Sequence, residues 1–202
     1  MYSQHDEEKH ILEAVKDIPD GTFLDIGAFD GHTFSNTAAL ADLGWKGICV
    51  EPANQAFLAL LKTAKERWPG QIHSVNAAIA PEGSGLMKFW QSADMVSTLS
   101  EGHKEIWGDT VKDYELKYVP TFSFRQLLSS GALPFNKFDV VNLDAEGCNW
   151  GIFLEIIQYA HHINRVLVVE FDNKKDEMLR AAMSKGFQLV HTTEENMVFV
   201  KD

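Results

Sequence analysis

Residues 22–31 read Thr-Phe-Leu-Asp-Ile-Gly-Ala-Phe-Asp-Gly, and this stretch decides the fold. It begins as an apolar run of the kind that forms a buried strand, and it then passes through Asp25, Gly27 and Gly31. A helix-like segment, 33–43, follows at once. A strand, a glycine turn and a helix in this order predict the first unit of a parallel α/β sheet. Ligands of such sheets bind beyond the carboxyl ends of the strands.

The glycine turn differs from the common phosphate-binding loops. A dinucleotide fingerprint, G-x-G-x-x-G, would have a glycine where Asp25 stands, and a carboxylate there disfavours a phosphate ligand. No G-x-x-x-x-G-K-[ST] motif occurs in the chain, which excludes a P-loop. The turn therefore suits a ligand with cationic or hydroxyl groups better than a pyrophosphate.

A second apolar run, Gly-Ile-Cys-Val-Glu at 47–51, also ends in an acid. Pro52 follows it and cannot extend a strand, because it has no N–H to donate. Glu51 lies 51 − 25 = 26 residues after Asp25. In doubly wound folds an acid at the tip of the second strand accepts hydrogen bonds from ribose hydroxyls. The alternative is an acid that is simply solvated at the end of a strand.

A third run, Phe-Asp-Val-Val-Asn-Leu-Asp-Ala-Glu-Gly at 138–147, carries two acids to the same predicted edge of the sheet. Asp144 ends the apolar part, and Glu146 follows two residues later, just before Gly147. Two neighbouring carboxylates outside a strand end are costly unless they meet a cation, a metal or hydrogen-bond donors. This pair is therefore a candidate for chemistry at the pocket mouth.

Together these motifs resemble the FkbM family of class I S-adenosylmethionine-dependent methyltransferases. The resemblance extends over roughly residues 20–200 and implies S-adenosylmethionine as the cofactor. It also implies an α/β fold with a Rossmann-like, seven-stranded, mostly parallel sheet, helices on both faces and a C-terminal antiparallel hairpin. The segments that carry it are Leu-Asp-Ile-Gly-Ala at 24–28, Val-Glu-Pro at 50–52, Ser-Val-Asn-Ala-Ala-Ile at 74–79 and Asp-Ala-Glu-Gly at 144–147.

The resemblance implies transfer of a methyl group to oxygen, on a hydroxyl of a sugar or another small polar metabolite. A hydroxyl loses its proton as it attacks, so Asp144 and Glu146 are the expected catalytic residues. His32 is a second candidate base because histidine titrates near neutrality; a solvent-facing histidine is the alternative. The residues expected to bind the cofactor are Asp25, Gly27, Ala28, Gly31, Glu51, Asn76 and Ala77.

A metal site is a further alternative. Asp172 and Asn173 follow the predicted strand 165–170, and Asp172 lies 172 − 144 = 28 residues beyond Asp144. Two carboxylates and an amide suit Mg²⁺, and the pattern resembles divalent-metal-dependent O-methyltransferases of the catechol type. The same two residues also suit a helix cap. We expect no metal, and a non-catalytic protein that only binds S-adenosylmethionine is the other alternative.

The rest of the pattern alternates between helical and strand periods and shows no linker, which predicts one domain over residues 1–202. The resemblance implies that this is a methyltransferase domain. Its N-terminal part, 1–20, contains a helix over 6–16 with Asp6 as a possible cap. Residues 92–118 have no clear period and form either a lid over the pocket or a plain surface excursion. The resemblance also implies a short strand leading into a helix over 119–128. The other predicted helices are 53–67, 149–160 and 174–185, and the other strands are 72–76, 85–91, 187–190 and 197–200.

The composition of the chain indicates which kinds of molecule it can bind. The net charge of −11 argues against nucleic acid, whose binding depends on neutralising phosphates. The chain has no apolar run of membrane-spanning length, and its first ten residues do not resemble a signal peptide. Its two cysteines, Cys49 and Cys148, do not imply a disulfide. We therefore expect a cytoplasmic protein with a small-molecule partner and neither a membrane nor a nucleic-acid partner.

Overall fold

The computed structural model describes residues 1–81, 83–92, 95–108, 110–111 and 114–201. Within these ranges strands and helices alternate. The strands are β1 Thr22–Ile26, β2 Lys46–Val50, β3 Ile72–Val75, β4 Ala78–Ile79, β5 Ser84–Gln91, β6 Glu115–Phe122, β7 Phe138–Leu143, β8 Ile163–Glu170, β9 Gln188–Thr192 and β10 Asn196–Val200. The helices are α1 Glu7–Ala14, α2 Ala38–Asp42, α3 Asn54–Arg67, α4 Glu101–Trp107, α5 Phe124–Ser129, α6 Asn149–Gln158 and α7 Lys175–Met183, with a 3₁₀ turn at Ala160–His162.

Seven of the strands form one sheet in the order β3-β2-β1-β7-β8-β10-β9. The first five strands in this order are parallel to one another, whereas β10 runs antiparallel to both β8 and β9. The predicted mostly parallel sheet with a closing antiparallel hairpin is therefore confirmed. Because β1, β2, β7 and β8 run the same way, their carboxyl ends meet at one edge of the sheet.

Side chains alternate between the two faces of the sheet, as strand geometry requires. On one face Leu24 and Leu143 pack with α6 and α7, where Phe153 and Met178 are fully buried. On the other face Phe23, Val140 and Val198 pack with α1 and α2. The helices thus cover both faces. In the described ranges no helix has the length and apolar character needed to cross a membrane.

A second, three-stranded sheet has the order β4-β6-β5. Its antiparallel pair runs in register from Ser84 opposite Phe122 to Gln91 opposite Glu115. The sequence pattern predicts β5, and the family resemblance implies the end of β6. Strand β4, which has only two residues, was not predicted. Of the possible lid, 92–118, residues 93, 94, 109, 112 and 113 lie outside the described ranges. The rest includes α4, which has no buried residue, and the start of β6.

The predicted helix 33–43 is wrong at its beginning, because α2 begins only at Ala38. Side chains hold the preceding residues in a turn instead. The Asp30 carboxylate accepts hydrogen bonds from the backbone N–H groups of His32 and Thr33 at 2.8 and 2.7 Å, and Phe34 has a φ of 53°. Short polar side chains that bond to nearby backbone groups compete with a helix in this way.

Phe153 tests the assignment of the core-facing side of α6. We expect Phe153→Ala to lower the free energy of unfolding by about 3–5 kcal/mol, because it empties a fully buried site. The neighbouring Leu154 is 39% exposed, so Leu154→Ala should cost less than about 1 kcal/mol. Urea unfolding followed by circular dichroism measures both. Equal losses in the two variants would contradict the assigned orientation of the helix.

Candidate functional site

A cavity lies at the edge where the carboxyl ends of β1, β2 and β7 meet. Gly27, Glu51 and Asp144, which directly follow these strands, all line it. Ala77 and Phe89 form part of its wall on the side of the second sheet. The space measures about 670 Å³ and is partly open to solvent. This edge, beyond the carboxyl ends of parallel strands, is where α/β sheets usually bind their ligands.

Gly27 is required by the close approach of two strand ends. Its φ is 86°, and a Cβ at this position would lie 1.7 Å from the Asp144 carbonyl oxygen. The N–H groups of Gly27 and Ala28 both donate to the Val50 carbonyl oxygen, at 2.9 and 3.1 Å. The turn after β1 is thereby tied to both neighbouring strands, and it presents main chain to the cavity.

Glu51 is 6% exposed and faces the cavity. One carboxylate oxygen accepts a hydrogen bond from the Phe29 N–H at 2.9 Å, and the other accepts one from the Ala53 N–H at 2.7 Å. Burial raises the pKa of Glu51 to about 8, against the effect of these two donors, and the nearby Asp25 and Asp144 raise it further. In the ionised form each oxygen keeps a second lone pair that could accept a ligand hydroxyl, and in the neutral form the protonated oxygen would donate instead.

Asn76 and Ala77 have different positions. The Asn76 side-chain amide donates to the carbonyl oxygens of Glu51 and Pro52, at 2.9 and 3.3 Å. Ala77 lines the cavity, whereas Asn76 is not among the described residues that do. The side chain of Asn76 thus holds the loop after β2 in place, and direct contact with a cofactor stays a prediction.

Asp25, Ala28 and Gly31 also lie beside the cavity rather than among the described residues that line it. Asp25 is 2% exposed and accepts hydrogen bonds from the Thr37 hydroxyl at 2.6 Å and the Asn142 amide at 2.8 Å. Burial raises its pKa, and these two donors act in the opposite direction. Ala28 is buried in the core on the α2 side. The cofactor-binding roles of Asp25 and Ala28 stay predictions.

Gly31 contacts helix α3. Its φ is 73°, and a Cβ there would lie 2.6 Å from a methyl carbon of Leu60. The glycine therefore allows the turn to pack against α3, and a role in cofactor binding stays a prediction. The second candidate base, His32, is exposed, and its ring packs edge-on against Tyr2 at 5.2 Å between centroids.

Asp144 and Glu146 both line the cavity, and Glu170, the last residue of β8, joins them. One carboxylate oxygen of each lies within 4.8 Å of the others. Burial raises the pKa of Asp144 to about 7, with a further contribution from Glu146. The pKa of Glu170 is raised to about 10, mainly by burial and next by the nearby carboxylate of Asp144. Glu170 was not predicted from the sequence, although an acid at the end of an apolar strand is also the signal that identified Glu51.

Asn149 positions this group of acids. It is fully buried, its amide nitrogen donates to Glu170 at 2.6 Å, and its amide oxygen accepts from the Ala145 N–H at 2.7 Å. The three clustered carboxylates could hold a divalent cation, which prefers oxygen ligands. Asp172, which the sequence suggested together with Asn173, has a φ of 45° and a pKa raised by burial, but it is not part of this three-oxygen cluster.

Helix α4 brings a histidine to the same acids. His103 Nε2 lies 2.8 Å from a Glu146 carboxylate oxygen. Gly147 makes this approach possible, because a Cβ there would lie 2.6 Å from the Cβ of His103. The Thr98 hydroxyl donates to the Glu146 carbonyl oxygen at 2.5 Å. His103 was not predicted from the sequence, because it lies in a segment without a clear period and far along the chain from its partner, Glu146.

The chain matches no protein-family model and no curated protein sequence. Its fold is similar to that of FkbM from Methylobacillus flagellatus KT, with a TM-score of 0.53 and 9% identity over 90% of this chain and 44% of that one. The chain thus spans less than half the length of that structure.

Two further solved structures share the fold over most of both chains. Magnesium protoporphyrin IX methyltransferase from Synechocystis PCC 6803, with bound SAH, has a TM-score of 0.53 and 13% identity over 97% of this chain and 82% of that one. Precorrin-6y C5,15-methyltransferase from Geobacter metallireducens GS-15 has a TM-score of 0.51 and 13% identity over 96% and 84%. The chain therefore has the fold of the class I methyltransferases.

Gly27 provides a test of the strand-end geometry, with Gly44 as a matched control. Gly44 has a φ of 92° and no atom within 4 Å of the position that a Cβ would take. Gly44→Ala should therefore cost only the backbone strain, about 1–2 kcal/mol. Gly27→Ala adds the clash with Asp144 and should lower the free energy of unfolding by more than about 3 kcal/mol. Urea unfolding measures both, and similar losses would contradict the close approach.

Proposed function

We propose that this protein is an S-adenosylmethionine-dependent methyltransferase, with residues 1–202 as one catalytic domain of the FkbM type. The observation that carries the proposal is the cavity at the carboxyl edge of β1, β2 and β7, where the Gly27 turn and the buried Glu51 lie in a methyltransferase fold. The free cysteines, Cys49 and Cys148, are compatible with a reducing compartment, and we propose a cytoplasmic location.

The cofactor would use both the polar and the apolar parts of the cavity. Glu51 would accept the ribose hydroxyls, and the adenine would lie against the wall that includes Ala77 and Phe89. The turn at Gly27 would allow the methionine part to approach the main chain, close to Asp144. Asp25, Ala28, Gly31 and Asn76 would contribute by holding the surrounding loops in this shape.

Asp144 and Glu146, at the mouth of the cavity, would take part in the methyl transfer. Methyl transfer from a sulfonium is an in-line displacement, so the protein must mainly align the acceptor with the methyl group. A positive sulfonium near Asp144 would favour the ionised carboxylate. Glu146 would then accept the proton of a hydroxyl as its oxygen attacks. We propose a hydroxyl of a sugar or another small polar metabolite as the acceptor, and the net charge of −11 supports this over a nucleic acid.

The carboxylate cluster favours a second candidate, a divalent-metal-dependent O-methyltransferase. Asp144, Glu146 and Glu170 bring three oxygens within 4.8 Å of one another. A Mg²⁺ ion there would bind the acceptor oxygen and make it easier to deprotonate. Glu146 would then be a metal ligand rather than the base.

Titration calorimetry tests the cofactor. We expect S-adenosylhomocysteine to bind and NAD not to bind. Glu51→Ala should weaken the binding by about 1–3 kcal/mol, because ribose hydroxyls would lose their acceptor. Glu66→Ala, an exposed acid on α3, is the control and should bind as the wild type does. Binding of NAD without binding of S-adenosylhomocysteine would refute the proposal.

Kinetics with and without a chelator separate the two roles of Glu146. Glu146→Gln should lower turnover on hydroxylated acceptors by about 10²–10⁴-fold, with the affinity for S-adenosylhomocysteine unchanged, because a positioned base typically contributes this much. The exposed Glu101 on α4 gives the control, Glu101→Gln, which should keep full turnover. The assay measures release of S-adenosylhomocysteine.

Wild-type turnover should persist in EDTA if Glu146 acts as the base. Loss of turnover in EDTA that added Mg²⁺ restores would instead establish the metal-dependent reaction. An unchanged turnover in Glu146→Gln, together with a lower melting temperature, would make Glu146 a structural residue of the turn.

A further inference from the structure

His103 is a largely buried histidine that contacts the candidate base from behind. Its side chain is 14% exposed, and its Nε2 lies 2.8 Å from the carboxylate oxygen Oε2 of Glu146. Glu146 lines the cavity, whereas His103 is not among the described residues that do. The imidazole therefore contacts Glu146 rather than a molecule bound in the cavity.

The contact occupies only one of the two carboxylate oxygens of Glu146. In the part of the chain that the structure describes, no group donates a hydrogen bond to the other oxygen, Oε1. The approach of His103 Nε2 to Oε2 is bent, because Nε2 meets the directional criteria of a hydrogen bond with no described residue. Contacts at catalytic groups are often poorly aligned before the substrate binds and tighten in the complex. Oε1 thus stays available to accept a proton.

The imidazole ring of His103 has little room to move. A Cβ at Gly147 would lie 2.6 Å from the Cβ of His103 and 2.9 Å from its Nδ1, so the ring packs directly on the glycine. The His103 N–H donates to the hydroxyl of Ser100, the N-cap of α4, at 3.2 Å. Trp107 lies one turn further along α4, with 6.4 Å between the two ring centroids. These contacts keep Nε2 beside Glu146.

The main chain of Glu146 is held by the same segment. The Thr98 hydroxyl donates to the Glu146 carbonyl oxygen at 2.5 Å and accepts from the Ser100 N–H at 2.9 Å. Thr98 also exchanges two backbone hydrogen bonds with Trp90 on β5, at 2.8 and 2.9 Å. Residues 98–103 therefore connect the second sheet to the turn after β7 and fix both the main chain and the side chain at position 146.

The Glu146 carboxylate needs such a contact because its neighbours repel it. One oxygen each of Asp144 and Glu170 lies within 4.8 Å of a Glu146 oxygen. When Asp144 is ionised, as beside a sulfonium, the like charges favour a Glu146 side chain turned toward solvent. That movement is open to Glu146, whose side chain is 22% exposed. A displacement of about 1 Å from the reactive position can lower a rate by about 10²-fold.

We propose that His103 is a positioning residue for methyl transfer, which holds Glu146 by Oε2 and leaves Oε1 for the acceptor. The hydroxyl oxygen of the acceptor attacks the methyl carbon, and the C–S bond breaks to release S-adenosylhomocysteine. The hydroxyl proton passes to Glu146. This inference rests on the proposed transfer to oxygen, and it adds a residue outside the cavity to the residues on which the rate depends.

Crystal structures of the wild type and two variants measure the position of Glu146 directly. His103→Gln keeps an N–H donor of similar reach, whereas His103→Ala removes the donor. We expect Glu146 to keep its position in the wild type and in His103→Gln, and to turn away from the cavity in His103→Ala. An unmoved Glu146 carboxylate in His103→Ala would overturn the proposal, and this result needs no acceptor.

Turnover gives the second readout, measured as release of S-adenosylhomocysteine with D-glucose or glycerol as the acceptor. His103→Ala should lower kcat by about 10²-fold and leave the affinity for S-adenosylhomocysteine unchanged, because only Glu146 is displaced. His103→Gln should retain most of the turnover. Glu105→Ala, an exposed change on the same helix, is the control and should match the wild type.

A double-mutant cycle separates positioning from a general effect on the fold. In the Glu146→Gln background, His103→Ala should change turnover by less than about 2-fold, because the group that it positions is no longer a base. An equal loss in both backgrounds, or an equal loss in His103→Gln and His103→Ala, would make His103 a structural residue. Absence of S-adenosylhomocysteine binding to the wild type would instead refute the proposed function.

Discussion

The close approach of the β1 turn to the end of β7 is the constraint on which the site depends. The Asp144 carbonyl oxygen occupies the space that a side chain at position 27 would need. The Asp144 N–H donates to the Ile26 carbonyl oxygen, and the Gly27 N–H donates to that of Val50, both at 2.9 Å. These bonds join three strand ends in one row. The positions of Glu51 and Asp144 around the cavity follow from that row, because each directly follows one of the joined strands.

The buried acids of the site make the free energy of unfolding depend on pH. The pKa of Glu51 is about 8 in the folded protein, above its ordinary value of 4.5, mainly because of burial. A raised pKa means that the folded state binds the proton more tightly than the unfolded state. The stabilisation from the neutral carboxyl is therefore complete below pH 4.5 and is lost as the pH rises through 8. A cationic ligand beside these acids would favour their ionised forms and so reduce the loss of stability at high pH.

Local sequence patterns predicted most of the helices and strands, and the wrong or missing predictions have physical causes. The strands at Thr22–Ile26 and Phe138–Leu143 lie where continuous apolar runs indicated. The helix after β1 was predicted five residues too long at its start, because Asp30 and its neighbours form a hydrogen-bonded turn there. Strand β4 has too few residues to show a period, and it exists because its partner β6 is close in space.

The sequence by itself determined the parallel sheet, its closing hairpin and the delivery of acids to the carboxyl ends of strands, because these depend on periodicity and on residues close together in the chain. Only the tertiary structure decided which acids meet. Alternation along β1 directs Asp25 to the face that contains Asn142, away from the cavity. Strand order brings Glu170 beside Asp144, and a loop contact brings His103 to Glu146. Such contacts join residues far apart in the chain, and no local pattern records them.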